Sequence, residues 1–130
     1  MNRPRLVIAE DHRETREQLV AVVSPGFEVV AAVADGRAAI EAADRLGPDL
    51  VLLDISMPVM GGMAAARHMK QRARSPKVIF VTGHADEDYV TEAFRSGAEG
   101  YVLKDRADTD LIAAIHEVLA GRTFRSPALA

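Results

Sequence analysis

The chain has no cysteine, which excludes disulfides and thiolate metal sites outright. It has no apolar run approaching the ~18 residues that a membrane-spanning helix requires. Its opening, Met1-Asn-Arg-Pro-Arg5, leads straight into a strand-like run instead of a signal peptide. Neither charge sign dominates: 16 Lys and Arg face 19 Asp and Glu, for a net charge of −3. The basic stripe of a nucleic-acid-binding face is missing, so no DNA binding is expected of this chain alone. The four histidines form no pair at metal-ligand spacing. Internal repeats, low-complexity tracts and an internal linker are also lacking. These absences lead us to expect one domain, in the cytoplasm and with no membrane contact. Its 130 residues suffice to bury a core without staples.

What is present is a beat of short apolar runs alternating with helical stretches. The runs are Leu6–Ala9, Phe27–Val33, Leu50–Leu53, Val78–Val81 and Gly100–Leu103, each bounded by Pro, Gly or polar residues. Three of them are almost continuously apolar, as strands buried on both faces are. Between the runs, Thr15, Leu19, Val22 and Val23 share one helical face, as do Ala39, Ala42, Ala43 and Leu46. A third helix is expected from about Gly61 to Arg72. A fourth, about Asp86 to Ser96, has an acidic first turn and points Val90, Ala93 and Phe94 inward. A fifth begins near Asp108 and carries Leu111, Ile112, Ile115, Val118 and Leu119 as a stripe. Asp35-Gly36 and Gly47-Pro48 read as turns. Five such beats predict a doubly wound α/β domain with a parallel sheet.

In open α/β sheets, sites form beyond the carboxyl ends of the strands. The first run ends in Glu10-Asp11, the third in Asp54, the fourth in Thr82 and the fifth in Lys104. Three crowded carboxylates repel one another and call for a cation. Oxygen-only ligation with room for water suits Mg²⁺, with Mn²⁺ as an alternative. Asp54 stands where a buried strand opens into the loop Ile55-Ser56-Met57-Pro58, a position suited to a carboxylate nucleophile. Lys104 and the cation would neutralise phosphoryl oxygens and Thr82 would donate a hydrogen bond to one of them.

The pattern Glu10-Asp11, Asp54 to Pro58, Gly61-Gly62, Thr82-Gly83 and Tyr101 to Lys104 resembles the signature of response-regulator receiver domains, from about Arg5 to Gly121. That resemblance implies a flavodoxin-like (βα)5 fold with five strands in the order 2-1-3-4-5. It implies that Asp54 accepts a phosphoryl group from a sensor histidine kinase. It makes Asp11, Asp54 and the backbone carbonyl of Ser56 ligands of Mg²⁺, with Glu10 acting through water. It makes Thr82 and Lys104 the phosphate-sensing pair, Tyr101 an aromatic switch that turns inward, and Pro58 and Gly62 shapers of the loop. Gly83 would leave the approach to the acceptor open. His84 either tunes access of water or phosphodonor, or is a neutral loop residue.

The stretch from Ile115 to Pro127 resembles the end of receivers in the NarL/FixJ subfamily, in which a linker leads to a helix-turn-helix domain. We therefore expect a receiver over 1–121 and a tail over 122–130 that either starts such a linker or closes a stand-alone receiver. Arg122 and Arg125 read as a solvated terminus. Dimer or effector contacts are expected on the fourth helix, fifth strand and fifth helix, or on the first and fifth helices. The chain reads as a switch and not a turnover enzyme. An aspartate-nucleophile phosphohydrolase would place a second Asp where Ser56 stands. A flavodoxin-like cofactor binder would need a phosphate-cradling loop in place of Glu10-Asp11-His12.

Overall fold

Alternate side chains of a strand leave the sheet on opposite faces, and here helices cover both. In the computed structural model, which describes residues 3–129, the parallel strands are β1 (Arg5–Ala9), β2 (Glu28–Val33), β3 (Leu50–Leu53), β4 (Lys77–Thr82) and β5 (Gly100–Leu103). The helices between and after them are α1 (Arg13–Val23), α2 (Gly36–Leu46), α3 (Gly62–Lys70), α4 (Glu87–Arg95) and α5 (Ala107–Leu119). Leu6, Ile8, Leu50, Leu52, Ile79, Val81 and Val102 pack against Leu19 and Val23 of α1 and Leu111, Ile115 and Val118 of α5. The intervening positions Val7, Val51, Leu53, Val78, Phe80 and Tyr101 pack against α2, α3 and α4 through Ala39, Ala65, Met69, Val90 and Ala93. The expected flavodoxin-like α/β architecture is therefore present.

The strand count is not as expected. The sheet has six strands in the order β2-β1-β3-β4-β5-β6. The sixth, β6 (Phe124–Arg125), runs parallel to β5 with Tyr101 opposite Arg125. Without it, β5 would present an edge of unpaired amides and carbonyls. Phe124 N donates instead to Glu99 O at 3.0 Å and Ser126 N to Tyr101 O at 2.9 Å. Two residues are too few to carry a hydrophobic alternation, so the sequence pattern could not announce this strand. Arg122 and Arg125 are exposed as expected, whereas Ser126 beside them is only 1% exposed.

Helix ends are set by local chemistry. Asp35, expected in a turn, is the N-cap of α2, its carboxylate accepting from Ala38 N at 2.8 Å. Gly47 closes the same helix in the left-handed region, at φ 57°. His12 caps α1, its ring nitrogen accepting from Thr15 N. Val90 and Ala93 of α4 are in the core as expected, and Phe94 packs against it while partly buried. Among the described residues no helix is long and apolar enough to cross a membrane.

Candidate functional site

Strand register brings four runs to one rim. Asp54 follows β3 directly, and its amide donates to Ala9 O at 3.1 Å, which puts it beside the end of β1. On the other side Thr82, the last residue of β4, pairs with Leu103, so Lys104 emerges next to Thr82. Carboxylate oxygens of Glu10, Asp11 and Asp54 lie within 4.8 Å of one another. Glu10 is 1% exposed and Asp54 5%, whereas Asp11 is open to solvent.

Lys104 is the counter-charge. Its Nζ lies 2.7 Å from Glu10 Oε1 and donates to Asp54 Oδ2 at 2.8 Å. Burial alone would lower the ammonium's pKa, but its bonds to Asp54 and then Glu10 outweigh this and raise it. The Glu10 carboxyl is pushed above its ordinary range, chiefly by burial and also by the nearby Asp54 charge. Lys104 and the His12 amide counteract this only in part. Glu10 Oε2 accepts from His12 N at 2.9 Å, while Oε1 accepts no aligned hydrogen bond. One ammonium against three carboxylates leaves an excess of negative charge around the buried Glu10 and Asp54 oxygens. A hard divalent cation with oxygen preference fits that donor set.

The loop after Asp54 is shaped by close backbone approach. Asp54 Oδ1 accepts from Ile55 N at 2.7 Å, which orients the carboxylate. A Cβ on Gly62 would sit 1.9 Å from the Asp54 carbonyl oxygen, so only glycine fits at the start of α3. Between them Met60 N donates to Pro58 O at 2.7 Å, a three-residue turn centred on Val59. Val59 has φ 66°, which a β-branched side chain rarely adopts. It is also 71% exposed.

Around this centre the structure adds contacts that spacing alone did not reveal. Ser56, which the sequence suggested only for its carbonyl, has its Oγ 3.1 Å from His84 Nε2. The His84 ring stacks on Tyr89 of α4, with centroids 4.1 Å apart. Tyr101 donates its hydroxyl to the His84 carbonyl at 2.7 Å. Its ring is fully buried. Burial, with Asp54, Asp86 and Tyr89 nearby, pushes its phenol up to about 12. Thr82 is buried and its Oγ1 accepts from His84 N at 3.4 Å. Gly83 is exposed, with open space where a side chain would be. Pro58 is exposed in the same loop as Val59. The rim therefore gathers Glu10, Asp11, Asp54, Thr82 and Lys104, with Tyr101 tied to it through the His84 backbone.

Known proteins share this arrangement of elements. The sequence profile of the response regulator receiver domain matches residues 6–116. Transcriptional regulatory protein DegU of Brevibacillus brevis is 38% identical over 128 residues, covering 97% of this chain and 54% of that protein. Nitrate/nitrite response regulator protein NarL of Escherichia coli (strain K12) is 36% identical over 127 residues, covering 95% and 58%. The chain thus spans a little over half the length of these curated relatives. A crystal structure of a two-component response regulator of the LuxR family, from Aurantimonas sp. SI85-9A1, superposes with a TM-score of 0.92 at 33% identity. The match covers 98% of this chain and 93% of that one.

Proposed function

The chain belongs to the response regulator receiver domain family, and from that premise we propose that Asp54 accepts a phosphoryl group from the phosphohistidine of a sensor histidine kinase. An Asp54 carboxylate oxygen attacks phosphorus as the phosphorus–nitrogen bond breaks. The electron pair leaves with the imidazole, and an aspartyl phosphate remains. The supporting observation is the grouping of Glu10, Asp11 and Asp54 oxygens within 4.8 Å, with Lys104 Nζ on Asp54 Oδ2.

Asp11, Asp54 and the Ser56 carbonyl would hold Mg²⁺ (or Mn²⁺), with Glu10 acting through water. The bound cation supplies charge neutralisation for the phosphoryl oxygens. Lys104 neutralises the remaining charge, and the Thr82 hydroxyl turns from its local contact with His84 N to donate to a phosphoryl oxygen. Pro58 and Gly62 hold the acceptor loop in shape. Gly83 leaves the donor's approach open, and His84, bridged to Ser56, regulates entry of water. Tyr101 is the aromatic switch that follows Thr82, joined through His84 to the loop after Thr82 and to α4.

The aspartyl phosphate adds roughly two negative charges, enough to reposition Thr82 and Lys104. The output is transcriptional, through a DNA-binding domain on the same polypeptide, as the names of the relatives suggest. A stand-alone receiver acting by protein contacts is the alternative. Phosphorylation-dependent pairing or effector contact uses α4, β5 and α5, or α1 and α5. The receiver occupies 1–121, the segment 122–130 adds β6 to its sheet and begins the linker, and the protein works in the cytoplasm as a switch, not as a turnover enzyme.

The test is NMR of native chain and Asp54→Asn titrated with beryllofluoride and Mg²⁺. The native spectrum shifts around Thr82, Lys104 and α4 while that of the variant does not. An unchanged native spectrum refutes the proposal.

A further inference from the structure

The segment after α5 is fastened to the two elements that adjoin the acceptor rim. Ser126 is buried at the edge of β5, its amide donating to Tyr101 O at 2.9 Å and its Oγ accepting from Leu103 N at 3.1 Å. Leu103 directly precedes Lys104, whose ammonium bridges Glu10 and Asp54. One residue earlier, Arg125 Nη2 donates to Glu87 Oε2 at 3.1 Å, in the first turn of α4, and to Leu129 O at 3.2 Å. Leu129 in turn packs against the core on the α2–α4 face. The same α4 meets the site through Tyr89, stacked on His84.

We propose that the outer edge of β5 and the first turn of α4 form a docking surface. Its occupant is the chain's own segment Arg122–Leu129, and docking opposes occupancy of the acceptor site. The inference rests on the phosphoacceptor reading of Asp54. Its physical basis is linkage. Contacts made to α4 and β5 in their present positions stabilise only that arrangement, so any movement of Thr82, Lys104 and α4 around a phosphoryl group works against them. Occupancy of the acceptor therefore loosens the segment, and loosening the segment tightens the acceptor by the same factor. The sequence leaving the receiver thereby reports the state of Asp54 to whatever it is joined to.

The experiment titrates the full chain and its Arg125→Ala and Ser126→Ala variants with beryllofluoride and Mg²⁺, followed by NMR and by amide hydrogen exchange. Arg125 is exposed, so its replacement leaves the fold intact even if the buried Ser126 variant is destabilised. The variants should bind about fivefold more tightly than native chain. In native chain, exchange at the Ser126 and Leu103 amides should accelerate on binding. Equal affinity in native chain and Arg125→Ala, or unchanged exchange at Ser126, overturns the inference while leaving the phosphoacceptor reading in place. A native chain that takes up no beryllofluoride overturns both.

Discussion

The two ends of the parallel strands are built on opposite principles. At the amino ends, carboxylates complete the backbone. Asp49 Oδ2 accepts from Arg5 N at 2.7 Å, Glu99 Oε1 accepts from Val78 N at 2.9 Å, and Lys70 Nζ holds Glu99 Oε2 at 2.7 Å. The Arg5 guanidinium also takes the carbonyls of Leu46 and Gly47 that end α2. At the carboxyl ends, carboxylates crowd one another instead. Glu10 Oε1 lacks an aligned hydrogen bond, and Val59 stands at a left-handed φ. The same residue types thus serve cohesion at one end and hold unfavourable charge and strain at the other. Such concentration of strain and unmet polar groups at one rim is the physical signature of a site.

The largest test of that contrast is Asp54→Asn. It should abolish uptake of the phosphoryl group, seen as loss of the acid-labile, base-labile phosphoprotein after incubation with a small-molecule phosphodonor, while the chain stays folded. Next, Gly62→Ala drives a methyl group into the Asp54 carbonyl and should cost about 3 kcal/mol in urea unfolding.

Glu10→Gln has the opposite sign. Because burial raises the Glu10 carboxyl above its ordinary 4.5, the folded chain binds that proton more tightly than the unfolded chain does. Its favourable contribution is complete below about pH 4.5 and is lost as pH rises through the raised value. Without divalent cations at neutral pH, Glu10→Gln should therefore be more stable than native chain in urea unfolding. Its Mg²⁺ affinity should fall roughly tenfold. A destabilised Glu10→Gln would erase the contrast between the two ends.

At the amino ends, Asp49→Ala should cost about 1 kcal/mol and leave beryllofluoride affinity unchanged; a change in that affinity would mean that the two ends are not independent. The smallest effect is expected of Val59→Gly, which relieves the left-handed backbone and should raise stability by roughly 0.5 kcal/mol in thermal unfolding.

Much of this was legible beforehand because local pattern and burial agree. The β3 run Leu50–Leu53 is apolar at every position, and it is buried at every position. The strand ends that carry Glu10, Asp54, Thr82 and Lys104 followed from where those runs stop. What stayed hidden depends on partners distant in sequence. Ser126 is buried only because β5 offers it Tyr101 O and Leu103 N, 25 and 23 residues away. His84 looks like any loop residue until α4 brings Tyr89 over its ring. Asp35 passed for a turn residue because capping and turning use the same side-chain chemistry.

By itself, then, the sequence determined the alternation of buried strands and amphipathic helices, and with it the rim on which the acidic residues must meet. Hydrophobic period and strand length are local properties, and they suffice for that. Only the tertiary structure decided that Lys104 bridges Glu10 and Asp54, that the Tyr101 hydroxyl meets the His84 carbonyl, and that a sixth strand clasps β5 and α4. Those outcomes are set by packing and hydrogen-bond satisfaction between segments far apart in the chain, which no local pattern encodes.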